Sequence, residues 1–343
     1  MKINKEQVLA GGMAIAGACF LWLSTPSLAA DEGLIERARQ EGKVVFYTSK
    51  ATANAEGVAK GFTDKYGIPV QLFRAGGTQI AQKLALELRS GKLEADVAET
   101  SDPTMLTVLY RQGAMEPFAP ENGKSLPAEF KHPKDGWTGS SIALMHLIVN
   151  ANEVSPEEEP KSWADLADPK WKGKLVWGSP NYGSSQYAAL KGLLELHGWD
   201  LIEAMKKNET MIIRGWPEAE NAVASGERLV GGDASSRSFR AMSGGLPLRN
   251  VYPEEGSFVS LSAIGVMKGA PHPNAAKLLI EYVLSEEGQQ IYAENFAYPV
   301  RQDVPVGDSM KPLTEIKMHT PDSEEAVDQH AQIVRRWTQM MER

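Results

Sequence analysis

The sequence predicts an α/β protein of two lobes, each a mostly parallel sheet flanked by helices, joined by two hinge crossings. Three observations carry this reading. Short β-branched or aromatic runs alternate with helix-period segments between Lys43 and Gly113. The same alternation returns between Lys174 and Gly232, after a long irregular stretch. Two extended apolar runs, SIALMHLIVN at residues 141–150 and SFVSLSAIGVMK at 257–268, are placed to cross from one unit to the other. Alternating strands and helices build parallel sheets through right-handed crossovers.

In the first unit VVFYTS (44–49) reads as a buried strand. Ala55, Val58, Ala59, Phe62 and Tyr66 come next at helical spacing, and Gly67 stops that helix. PVQLF (69–73) is the next strand, and Ile80, Leu84 and Leu88 mark a helix ended by Gly91. ADVAET (95–100) and a helix over 103–112 close the unit. In the second unit KLVWGS (174–179) is a strand. Tyr187, Leu190, Leu194 and His197 share a helix face ended by Gly198. MIIR (211–214), a short helix over 217–225 and RLVGG (228–232) complete the pattern. The expected division is residues 31–140 plus 258–310 for the first lobe, and 141–257 plus 311–343 for the second with its C-terminal helices. From Thr314 onward a helical decoration is expected, with Val327, Ile333, Val334 and Trp337 as its packing residues. Two crossings make a hinge, and the cleft between hinged lobes closes on a ligand.

The first thirty residues read as a secretory signal: Lys2 and Lys5, an apolar stretch over 8–23, then small residues leading to a cut after Ala29 or Ala30. A lipoprotein alternative at Cys19 lacks the usual leucine three residues earlier. Cys19 is the sole cysteine, so a chain cut after Ala30 has no disulfide, thiolate metal site or cysteine nucleophile. The mature chain is long enough for two domains at roughly 100–200 residues each. The composition, 42% hydrophobic with a formal net charge of −8, suits a globular core and excludes nucleic acid as a partner. A monomer is expected.

Ligands of open parallel sheets sit beyond the carboxyl ends of the strands. Six such junctions occur here, rich in Gly, Ser and Thr, and four of them carry Lys or Arg. Hydroxyls, helix N-termini and guanidinium groups suit an anion. The candidate site residues are Ser49, Lys50, Thr78, Gln79 and Ser101 from the first lobe. From the second they are Ser184, Ser185, Arg214, Trp216, Asp233, Ser235 and Arg237. A structural reading stands beside the functional one: Ser, Thr and Asp cap helices, Trp216 fills core, Lys50 and Arg237 face solvent, and the neighbouring Arg74 snorkels along its own lobe.

Two segments, SWADLADPKWKGK at 162–174 and GAPHPNAAKLLIEYVLSEEGQQIYAENFAYPVR at 269–301, resemble the solute-binding proteins of bacterial ABC importers. They are similar to the branch with ferric-iron-, phosphonate- and sugar-phosphate-binding members. The resemblance implies a type II periplasmic-binding-protein fold, location in the periplasm, and delivery of a small solute to an inner-membrane permease driven by an ATPase. It also implies structural roles for Trp163, Trp171 and Trp177. Iron-binding relatives commonly use two adjacent tyrosines in the second lobe; the corresponding stretch here, GGDASSRSFR at 231–240, has none. The expected ligand is therefore a small anion such as a phosphonate, phosphate ester or organic acid, with ferric iron as the alternative. No cofactor and no resident metal are expected. No G-x-S-x-G, S-x-x-K, H-E-x-x-H or phosphate-loop motif occurs, so an enzyme is not expected, and a carboxylate-only secreted hydrolase is a distant third reading.

Overall fold

The computed structural model describes residues 32–101, 103–320 and 323–342; the side chains of Ser184 and of residues 323–327 are outside this set. The expected signal segment and Cys19 lie outside the described residues.

The chain opens with α1 (Glu32–Glu41), β1 (Val44–Thr48), α2 (Thr52–Tyr66), β2 (Val70–Arg74), α3 (Gly77–Ser90), β3 (Val97–Thr100) and α4 (Thr104–Arg111). The short β4 (Met115–Glu116) leads to the long crossing strand β5 (Thr138–Asn150). The second alternation is β6 (Leu175–Gly178), α5 (Ser184–Lys207), β7 (Met211–Ile213), α6 (Trp216–Ala224), β8 (Val230–Ala234) and α7 (Ser235–Ser243). After β9 (Leu248–Val251), the return strand β10 (Ser257–Met267) leads to α8 (Pro273–Val283) and α9 (Glu286–Glu294). β11 (Tyr298–Pro299), β12 (Met318–His319) and α10 (Ser323–Met341) finish the chain.

Among the described residues the sheet runs β2-β1-β3-β10-β5-β8-β6-β7. β1 is parallel to β2 and β3, and β6 is parallel to β7 and β8. β5 and β10 pair antiparallel with each other between these two parallel groups. Two apolar cores sit on either side of this pair. One contains Phe46, Val97, Leu144 and Val259; the other contains Met145, Trp177, Val230 and Phe258. Both crossings therefore change core at the same two rungs, where Leu144 pairs with Val259 and Met145 with Phe258.

The segments that carry the family resemblance brace these rungs. Trp163 stacks on Phe258 at 4.7 Å and 12°, and its indole N–H donates to Gly256 O at 2.8 Å. Gly192 in α5 lies against the same ring, where an added Cβ would come within 2.2 Å. Ser285 caps α9 by accepting from Gly288 N at 3.2 Å. The buried Gln289 amide donates to Ser140 O and Val283 O at 2.8 Å each and accepts from Val300 N at 2.8 Å. Helix α9 is thereby fastened to β5.

Gly198 ends its helix as expected: at φ 64°, ψ −163° the chain breaks there, a turn that glycine tolerates, and a second helical stretch resumes to Lys207. Two expectations change. Strand β8 extends through Ala234, so Asp233 lies inside the sheet and not in a loop. The C-terminal helix is more than decoration, because Trp337 is fully buried with Ile333 in the second core. Helix α10 also reaches the first lobe through an Arg111–Asp328 ion pair of 2.8 Å. Trp337→Ala should cost about 3–5 kcal/mol; a midpoint unchanged in urea unfolding would show that α10 is dispensable.

Candidate ligand-binding site

The carboxyl ends of β1, β2 and β3 carry the first-lobe candidates. Ser49 and Ser101 meet: their hydroxyl oxygens are 3.0 Å apart, and Ser101 N donates to Ser49 Oγ at 2.9 Å. Ser260 of β10 donates its hydroxyl to Ser101 O at 3.1 Å, which ties this pair to the return crossing. Lys50 is only 7% exposed. Its ammonium donates to Ser141 Oγ on β5, lies 3.9 Å from Glu99 and sits 4.9 Å from the Tyr292 ring. Burial pulls the Lys50 pKa down to about 8, partly offset by Glu99. Thr78 and Gln79 are exposed on the first turn of α3, where the Gln79 side chain accepts from Gly76 N at 3.2 Å.

Beneath Lys50 lies a polar cluster that the sequence pattern does not reveal. Glu99 is fully buried and accepts from Thr48 Oγ1 at 2.7 Å, Ser140 Oγ at 2.6 Å and the Tyr292 hydroxyl at 2.9 Å. Burial and the Glu99 charge push the Tyr292 phenol well above its ordinary range. One signal was available: Glu99, with Asp96, is one of two charged residues in the otherwise sheet-like run ADVAET, and it lies next to the strand end. Its partners come from β1, β5 and α9, which no local pattern links.

In the second lobe the junctions separate into distinct small groups. Arg214 is exposed, and its guanidinium carbon lies 4.9 Å from the centroid of Tyr182, itself 58% exposed. Among the described residues this guanidinium has no carboxylate partner; Glu218 accepts instead from Arg214 N at 2.9 Å. Ser184 opens α5, and Ser185 Oγ accepts from the Trp216 indole N–H at 2.9 Å. Trp216 is 2% exposed and packs edge-on to Trp177 at 5.8 Å, so its ring belongs to the second core.

Ser235 is fully buried, and its hydroxyl accepts from Leu144 N at 3.0 Å, so it joins α7 to a hinge rung. Arg237 is held by Glu220 at 2.6 Å. Asp233 is 0% exposed: one oxygen accepts from Ala234 N at 2.7 Å, and Oδ2 has no hydrogen-bond partner among the described residues. Burial first, and Glu220 second, push its pKa well above the ordinary range despite Arg237. Across the ladder its register neighbour is His146, whose own pKa burial pulls down to about 4. No three His, Asp, Glu or Cys side chains gather as a metal site among the described residues.

A separate cavity of about 330 Å³ lies farther along α5, between it and α10. It is bounded by Lys191, Glu195, Trp199 and Arg336, none of them at a strand end. The carboxyl ends of the strands, not this cavity, carry the donor-rich junctions.

Two α/β lobes joined by a pair of crossing strands, with donor-rich turns at the strand ends, define a periplasmic-binding-protein fold of type II. A family model described as bacterial extracellular solute-binding protein matches residues 94–327, and the chain belongs to that family. It is similar to iron uptake protein A1 of Synechocystis, 26% identical over 317 residues and 87% of each chain. It is similar also to a putative 2-aminoethylphosphonate-binding periplasmic protein of Salmonella typhimurium, 26% identical over 260 residues, covering 72% of this chain and 74% of that one. The structure of Trichodesmium IdiA (FutA) in complex with iron and citrate superposes with a TM-score of 0.76 at 24% identity, covering 88% of this chain and 99% of that one. The protein is thus a substrate-binding protein of an ABC importer and not an enzyme.

The buried Asp233 gives a signed pH dependence. Its folded pKa lies above the unfolded value, so its stabilising contribution is complete below about pH 4 and is lost as pH rises through the folded pKa. Asp233→Asn should match the parent near pH 3.5 and exceed it in stability at pH 7. Urea midpoints taken across that range test this, and parallel curves for the two proteins would refute it.

Proposed function

We propose that the protein captures a small anionic solute between its lobes in the periplasm and hands it to an inner-membrane permease driven by an ATPase. The solute class is a phosphonate, a phosphate ester or an organic acid. One observation carries this reading: Arg214, exposed at the carboxyl end of β7, lies over the exposed Tyr182 ring and has no carboxylate partner among the described residues. A planar fork beside an aromatic face suits an oxyanion, which it engages through paired N–H donors. Ser49, Ser101 and the helix N-termini add neutral donors of the kind an anion uses. The phosphonate name of the Salmonella relative agrees with this chemistry.

Ferric iron is the second reading, and the names of the relatives favour it: iron uptake and ferric-iron-binding proteins predominate among them. The residues favour it less. Ferric ion takes anionic oxygen ligands, and residues 231–240, the stretch where the resemblance places adjacent tyrosines, contain none. Tyr182 is the exposed phenol at a second-lobe strand end, and a cation of high charge would have to sit beside Arg214 to use it.

Calorimetry on the purified protein with phosphonates, phosphate esters, aliphatic acids and ferric ion separates the two readings. Arg214→Ala should weaken anion binding by about 1.5–3 kcal/mol, the range for a hydrogen bond to a charged group. Ferric binding with a visible tyrosinate absorption band, abolished by Tyr182→Phe, would put iron in place of the anion.

A further inference from the structure

The turn after β6 already holds an anion, and the chain supplies it. Glu342, one residue past the end of α10, places its carboxylate against that turn. Ser179 donates its hydroxyl to Glu342 Oε1. The Asn181 side-chain amide lies 3.2 Å from both carboxylate oxygens and donates also to Thr338 Oγ1 at 2.9 Å. The Trp337 indole N–H completes the set at 3.2 Å from Oε1. Three neutral donors from two separate parts of the chain thus converge on one carboxylate, and none of them is cationic.

The position of this turn gives the contact its meaning. Ser179 adjoins the last residue of β6, and Ser184 begins α5. Tyr182, one residue beyond Asn181, is the ring on which Arg214 lies. The donors around Glu342 and the Arg214 guanidinium are therefore on the same strand-end surface. A solute carrying a carboxylate or a phosph(on)ate would find Arg214 open and the neighbouring hydroxyl and amide occupied.

We propose that the Ser179–Asn181 turn is an anion subsite of the second lobe, which Glu342 fills in the unliganded protein and which the solute's anionic group takes by displacing Glu342. This rests on the anion reading of the site. Displacement is local. Trp337 and Ile333 keep α10 in the second core, whereas Glu342 is exposed and its backbone is tied by a single Glu342 N to Thr338 O bond of 3.2 Å. A tethered carboxylate acts as a competitor at high effective concentration, and the apparent affinity falls by the fraction of protein in which the subsite is open.

The test is calorimetric titration of the full chain with inorganic phosphate and with citrate. The parent is compared with Glu342→Ala, Glu342→Gln, Ser179→Ala/Glu342→Ala and Arg214→Ala. Removing the competitor should tighten binding on the order of tenfold in Glu342→Ala. Glu342→Gln should fall between that variant and the parent. Loss of the gain in the double variant assigns it to the Ser179 turn, and the unchanged thermal midpoint of Glu342→Ala excludes a general loosening of α10. Equal affinity of Glu342→Ala and the parent, with Arg214→Ala still weakened, overturns the subsite while leaving the anion site intact. Absence of binding by either anion to any of the five proteins overturns both.

Discussion

The ladder between β5 and β10 is the constraint through which the two halves of this chain are related. Parallel sheets cannot be joined to each other by short turns, so each α/β unit has to be closed by chain that leaves and returns. Here departure and return are paired antiparallel along seven rungs, and the apolar cores divide at two of them, Leu144–Val259 and Met145–Phe258. A rotation of one lobe against the other would twist these two adjacent strands, and would also have to shift Phe239 of α7, which is packed in the first core against Phe296 and Tyr298. Trp163 and Gly192 fit around Phe258, and Ser235 holds Leu144 N, so the rungs are gripped mainly from the second lobe.

The same ladder organises the polar interior of the first lobe. Glu99 collects donors from β1, β5 and α9, and Lys50 reaches the adjacent Ser141 on the crossing strand. Removing one member of such a buried set leaves the others uncompensated, which costs more than the intact set contributes. The lysine is consequently a poor free cation for a solute. Its charge is held between Glu99 and the Tyr292 ring, and its low pKa means that burial already disfavours the ammonium. Among the described residues that leaves two strand-end guanidinium groups without a carboxylate partner, Arg214 and Arg74, the second of which donates its Nε–H to Lys50 O at 2.7 Å, whereas Arg237 belongs to Glu220.

Much of this architecture was legible in the residues. Apolar periodicity located β1, α2, β3, β5, β6 and β10 to within a few residues, because each is buried and its pattern is set by one neighbouring layer. The framework segments gave the family for a related reason: Asp168 accepting from Lys170 N, Ser285 capping α9 and Gln289 donating to Val283 O are local bonds with a fixed residue order. The site was less legible. Trp216 and Ser235 carry the residue types of a binding surface, yet one fills the second core and the other fastens a hinge rung. Strand-end position made both candidates, and only the packing of α5 and β5 decides their roles. Glu99 and Glu342 gave little sign, since their partners lie between 41 and 193 residues away for Glu99 and as far as 163 for Glu342.

On the proposed anion reading, the donor chemistry would account for an acidic protein taking an anion. With a net charge of −8 the long-range field opposes the solute, and it is screened beyond about 8–10 Å at physiological salt. On that reading recognition would depend on short-range groups: the Arg214 guanidinium, hydroxyls, an amide and the backbone N–H groups that begin α3, α5 and α6. On the same reading, closure would need a solute that contacts both lobes, because a ligand moves the equilibrium by no more than its preference for the closed form. An intramolecular carboxylate on the second-lobe donors fits that scheme. As proposed, it satisfies those groups in the unliganded protein and would yield to a solute that gains first-lobe contacts which Glu342, fixed to α10, has no means to make.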